Sequence, residues 1–119
     1  MHVRPIKGSV TFRFKKVPKY FKNHMNLIHG GALMAWIDCM TSIAIFGFDQ
    51  KRRMFAITVN MSIDCASVGK IDEDFLIKAD VLHVGKHFAF AECKHLDPNG
   101  RLIASGTHKM AFLNQNARL

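Results

Sequence analysis

Residues 30–48 read GGALMAWIDCMTSIAIFGF, a nearly unbroken apolar run with one carboxylate, Asp38, near its middle. Past the two glycines the run is 17 residues long, the lower limit for crossing a bilayer, and it carries Asp38, Thr41 and Ser42. It predicts a helix inside a folded domain, apolar on nearly every side, opened by Gly30-Gly31 and ended by Gly47. A helix of that kind must be covered on nearly every side, and this requirement dictates the rest of the fold. It also poses a chemical question, because a buried carboxylate is costly unless it is paired, hydrogen-bonded or used.

The remaining segments supply strands. Val10, Phe12 and Phe14 alternate with Thr11, Arg13 and Lys15. Residues 18–29 read as a loop. Residues 52–66 alternate strictly, with Phe55, Ile57, Val59, Met61, Ile63 and Cys65 on one face and Ala56, Thr58, Asn60, Ser62 and Asp64 on the other. Two further strands, 75–84 and 87–96, are joined through Gly85-Lys86. The turn Asp97-Pro98-Asn99-Gly100 then leads into a last strand over 101–113. The tail, 114–119, is expected to fray. The reading is one α+β domain over residues 1–119: a strand, a long central helix, then a four-strand meander forming a curved antiparallel sheet that wraps the helix. A partner subunit would close what the sheet leaves open.

Composition narrows the partners. Hydrophobic residues make up 49% of the 119, enough to fill a core. Cys39, Cys65 and Cys93 are odd in number and set in apolar pattern without a CxxC pair, so they read as reduced, buried thiols. With no apolar h-region near the start, the chain is expected to be intracellular, cytoplasmic or mitochondrial. The net charge of +8 implies an anionic partner: nucleic acid, a membrane surface or a phosphate-bearing small molecule. Lysines and arginines are dispersed and no aromatic platform accompanies them, which argues against nucleic acid. The histidines lack a metal-ligand spacing.

The chemistry centres on the helix. Free backbone N–H groups and the positive dipole end at Gly30 suit developing negative charge. Asp38 lies eight residues on, about 12 Å along the axis. One carbonyl cannot meet both within one chain. Two antiparallel copies crossing near Met34 would set Gly30 of one against Asp38 of the other, twice per two-fold dimer. A donor facing a carboxylate base or nucleophile is equipment for attack on an acyl carbonyl.

Asn23, His29-Gly30-Gly31 and Asp38, spaced N-x5-HGG-x6-D, resemble the pattern of the PaaI-type hotdog-fold acyl-CoA thioesterases. The likeness continues through AITVNMSI, ADVLHVGKHFAFAE and LIASGTHKMAFL, over roughly residues 8–113. The resemblance implies that Asn23 and the Gly30 N–H polarise the thioester carbonyl. Asp38 of the neighbouring subunit would activate water or attack directly. Thr58 stands where close relatives place a serine that helps orient the water. The coenzyme A arm would run along Asn60, Ser67, Gly69 and Lys70 and the hairpin bearing His83, Gly85 and Lys86, with His29 at the substrate. No cofactor is implied, and the assembly expected is a homo-oligomer, a dimer of dimers.

Plainer readings stand beside these. Asp38 could be a structural carboxylate capped by Thr41, Ser42 or a neighbouring backbone, and His29 could merely fill the loop. Thr58 and Asn60 could be solvated, and Lys70, Lys86, Arg52 and Arg53 could be ordinary surface charges. Trp36, Met34 and Met40 read as helix packing. The rival function is a non-catalytic acyl-CoA-binding protein of the same fold.

Overall fold

The computed structural model describes residues 2–6 (as backbone), 8–48 and 56–113. Strands β1 (His2–Ile6) and β2 (Ser9–Phe14) precede a short 3-10 turn, Lys19–Phe21, and helix α1 (Gly30–Phe48). Strands β3 (Ala56–Cys65), β4 (Phe75–Val84), β5 (Phe88–Leu96) and β6 (Leu102–Phe112) follow. They form one antiparallel sheet in the order β1-β2-β4-β5-β6-β3. Arg52, Arg53 and Phe55, and the tail expected to fray, lie outside the described residues.

Two features depart from the sequence reading. Residues 2–6 form an additional strand, hairpinned onto β2 through Gly8 in the left-handed region at φ 83°. Also, only β4, β5 and β6 run as a meander. The chain leaves β2, crosses the sheet as α1 and returns at the opposite edge, so β3 pairs with β6 and not with β4. The ten residues of β3 therefore form a sheet edge, with no strand beyond it among the described residues.

One stripe of the helix is buried: Leu33, Ile37, Met40, Thr41, Ala44 and Ile45. This stripe meets Phe12, Phe75, Ile77, Ala79, Cys93 and Ile103 toward one end of the sheet, and Ala89, Ala91 and Met110 toward the other. Contact is closest at Gly106, where a Cβ would sit 3.0 Å from Ile37 Cγ2 and 3.2 Å from the Ser62 carbonyl oxygen. The helix is thus apolar all round, but the described residues cover it on one side only. Met34, Ile43 and Phe48 are 49%, 44% and 38% exposed, and Cys39 is exposed among them. Cys65 is also exposed, so of the three thiols only Cys93 is buried, where loss of hydration pushes its pKa up to about 12.

Candidate active site

The loop before the helix satisfies its own backbone and leaves specific groups over. Asn23 Oδ1 accepts the N–H groups of Met25 (2.8 Å) and Leu27 (3.1 Å), an Asx-type turn that commits the amide oxygen and frees the amide N–H₂ to donate elsewhere. The His29 carbonyl accepts from Ala32 and Leu33. His29 Nδ1 accepts from Gly31 N–H at 2.9 Å, a side-chain cap on the helix end. Glycine at 31 leaves room for this contact, since a Cβ there would lie 3.0 Å from that nitrogen and the ring would have to shift. Gly30 N–H finds no acceptor among the described residues, and a Cβ on Gly30 would meet nothing within 4 Å. Of the orphan donors at the helix start, Gly30 is the one facing open space.

The loop after β3 is tied to this same corner. Gly69 is buried against Ile28, whose Cδ1 would lie 2.7 Å from an added Cβ, and its carbonyl accepts from Ile28 N–H at 2.9 Å. Lys70 bridges to Leu27 and leaves its side chain exposed. The Ser67 hydroxyl donates to the Leu102 carbonyl at 2.7 Å, so it holds the loop in place. Asn23, His29, Gly30, Ser67, Gly69 and Lys70 accordingly form one cluster.

Asp38 belongs to a second cluster, further along the helix. Its side chain is 47% exposed and lies on the border between the buried stripe and the open face. Thr41 and Ser42 donate to its backbone carbonyl, at 3.1 and 2.8 Å, and not to its carboxylate, so these hydroxyls do not cap the charge. The carboxylate instead approaches His108: Oδ1 lies 3.6 Å from Nε2. His108, on β6, is buried, with Nδ1 2.6 Å from the Thr41 hydroxyl and Nε2 2.8 Å from the Thr58 hydroxyl. Burial lowers its pKa from 6.5, and the neighbouring Asp38 charge partly opposes the shift.

Thr58 reaches this cluster because β3 does not alternate strictly. The register with β6 slips between Thr58 and Asn60, so Thr58 lies opposite Met110 and Met61 opposite His108, all facing the helix. The single face expected for Ile57, Val59, Met61 and Ile63 is therefore broken at a bulge. Asn60 ends up on the far side of the sheet from Thr58, lining a shallow groove of about 510 Å³ with Val59, Leu82, Phe90, Thr107 and Lys109. The hairpin bearing His83, Gly85 and Lys86 lies beyond Ala89 and Val84, next to the C-terminal half of the helix, away from Gly30. One chain thus separates the Gly30 cluster from the Asp38 cluster.

Comparison with known proteins matches this arrangement to a family. The sequence profile of the thioesterase superfamily matches residues 25–104, a stretch holding all of the residues in the two clusters except Asn23 and His108. The chain belongs to the thioesterase superfamily. Acyl-coenzyme A thioesterase 13 of Mus musculus is 32% identical over 94 residues, 78% of this chain and 66% of the mouse protein. The human protein of the same name gives the same figures, so the chain spans just under two thirds of the length of these relatives. The crystal structure of zebrafish thioesterase superfamily member 2 superposes with a TM-score of 0.85 at 31% identity, covering 93% of this chain and 80% of that one. A hypothetical thioesterase of Streptococcus pneumoniae, solved with coenzyme A, shares the fold at 21% identity and TM-score 0.83, covering 98% of this chain and 90% of its own. The hotdog architecture implied by the sequence resemblance is present.

Outside the matched stretch lie Asn23, which the sequence singled out, and His108 on β6. Sequence reasoning missed His108 and Thr41's contact with it, although a signal existed in this thioesterase-superfamily chain. Along β6, Ala104, Gly106, His108 and Met110 share the core-facing side, and a histidine there is out of place. Nothing in the local sequence says which hydroxyls meet it, because Thr41 and Thr58 come from distant segments.

Proposed function

We propose that the protein is an acyl-CoA thioesterase, hydrolysing medium- to long-chain fatty acyl-CoA to the free acid and coenzyme A at a site shared between two subunits. The observation that carries this reading is the free Gly30 N–H at a helix start, in the same helix that holds Asp38 at the border of an otherwise apolar, exposed face. The name of the mouse relative, acyl-coenzyme A thioesterase, supports the substrate class. The open β3 edge and the exposed helix face, which includes Met34 midway between Gly30 and Asp38, support pairing of two copies with antiparallel helices. Such a pair brings the Gly30 cluster of one chain to the Asp38 cluster of the other.

In the proposed reaction the thioester carbonyl oxygen accepts from Gly30 N–H and from the Asn23 amide N–H₂. Asp38 of the second subunit takes a proton from water as the water oxygen bonds to the carbonyl carbon. The oxyanion is held by the two donors. It collapses with cleavage of the C–S bond, and the leaving thiolate takes up a proton to give coenzyme A. Lys70, beside the Gly30 cluster, and Lys86, on the β4–β5 hairpin, offer positive charge to the phosphates. Free-thiol release measured across an acyl-CoA series from acetyl to stearoyl tests the reading. Turnover that rises toward the longer chains is expected, whereas saturable binding without thiol release at any length would make the protein a binder.

A further inference from the structure

The hydrogen bonds around His108 fix which of its nitrogens carries the proton. Thr41 Oγ1 lies 2.7 Å from the Ile37 carbonyl oxygen and 3.1 Å from that of Asp38. Neither oxygen can donate, so the single hydroxyl proton of Thr41 is spent on the helix backbone. Only a lone pair remains for His108 Nδ1 at 2.6 Å, and Nδ1 must therefore be the donor. The ring is buried and its pKa lowered, so it is neutral above the ordinary histidine range, and Nε2 is left as an acceptor. Thr58 Oγ1, 2.8 Å from Nε2, then has to donate its own proton inward.

We infer that His108 is a positioning residue that makes the Thr58 hydroxyl a hydrogen-bond acceptor toward the attacking water. This rests on the thioesterase reading above. The oxygens of Thr58 and Asp38 both lie around the same ring nitrogen, at 2.8 and 3.6 Å. A water between them meets two acceptors. It donates one hydrogen to the Asp38 carboxylate and the other to Thr58 Oγ1, which turns its lone pair outward to the carbonyl. With the opposite tautomer Thr58 would donate to the water and engage the lone pair that has to attack. The order of donors is set from the helix outward: His108 Nδ1–H to Thr41, Thr58 O–H to His108 Nε2, water O–H to Thr58. Thr41 is the anchor because its own proton is held by the i−4 carbonyl of Ile37.

Two measurements on the intact protein test this. Long-range ¹⁵N–¹H correlation at pH 7.5 should show the His108 ring protonated at Nδ1 and bare at Nε2, a readout independent of turnover. In kinetics, His108→Asn and Thr58→Val should each lower kcat roughly 10- to 100-fold with KM nearly unchanged, the scale on which misplaced reacting groups are felt. Adding His108→Asn to Thr58→Val should then cost almost nothing more. His108→Gln, whose amide oxygen can still accept from Thr58, should recover part of the loss, and the wild-type spectrum stands whether or not the variants fold. A ring protonated at Nε2, or losses that multiply in the double variant, would overturn the role of His108 alone. A wild-type chain that releases no thiol from any acyl-CoA defeats the thioesterase reading itself, and this is seen before any variant is compared.

Discussion

Two histidines are buried between the helix and the sheet, and their surroundings are opposite. His108, on β6, bonds to Thr41 and Thr58 and lies beside Asp38. His95, on β5, is stacked on Phe75 (centroids 4.5 Å apart) with Trp36 at 6.0 Å, and neither ring nitrogen has a hydrogen-bond partner among the described residues. Phe14, Phe21, Trp36 and Phe75 complete an aromatic end of the core, while Thr41, Thr58, Asp38 and His108 form a polar one. Both rings lose hydration, yet only one is compensated. His95 is pushed down to about 4 by burial alone, whereas at His108 the Asp38 charge opposes the same effect. Burial of a polar ring is thus a cost at one end of the helix and part of a hydrogen-bonded device at the other.

The sharpest way to break this contrast is to remove the charge at the polar end. Asp38→Asn should lower kcat at least ~10²-fold, the scale of a positioned acid–base group. The fold should persist, because the amide is nearly isosteric and half exposed. Steady-state thiol release with a parallel unfolding curve checks both parts, and wild-type turnover would take Asp38 out of the chemistry.

At the aromatic end the effect should fall on stability. The unfolded chain takes up a proton at His95 near 6.5 and the folded chain only near 4. The folded-state value is depressed, so this contribution is fully present above 6.5 and drains as pH falls toward 4. The difference is worth about 3 kcal/mol. Urea unfolding of wild type and His95→Leu across pH 7.5 to 4 should show a steeper decline in the wild type, while kcat at neutral pH stays within a few-fold. Parallel declines would mean that His95 is not held neutral.

The smallest effect is expected at the rim. Lys86→Ala, on the hairpin beyond the C-terminal half of the helix, should raise KM for acyl-CoA about 2- to 5-fold at low ionic strength and flatten its salt dependence, with kcat little changed. An unaltered KM would remove this hairpin from the coenzyme A path.

Much of this was legible in the sequence. The apolar run marked the helix, alternation marked β2 and β3, Gly85-Lys86 marked the joint between β4 and β5, and Asp97-Pro98-Asn99-Gly100 marked the hairpin into β6, which Asp97 closes by accepting from Asn99 and Arg101 N–H. HGG and Asp38 pointed to the two ends of the chemistry. What stayed hidden depends on pairing. Pro5 argues against a strand, yet β1 is an edge that pairs only with β2, and an edge tolerates a residue without an N–H. The bulge at Val59 is invisible in a segment that alternates strictly, because it is fixed by β6. His95 and His108 both occupy core-facing positions of their strands, and only the distant segments that meet them tell the costly one from the useful one.

The central claim is that the polar cluster of one chain works on a carbonyl held by the Gly30 cluster of another. Asn23→Ala and Asp38→Asn, each nearly inactive, should be unfolded together and refolded as a mixture, with subunit exchange verified by mass. A mixed dimer then holds one site with both lesions and one with neither. Half the dimers are mixed under random pairing, so roughly a quarter of wild-type activity should return. Activity that stays at the level of the separate variants after verified exchange would contradict the shared site, even with Asp38 proven essential.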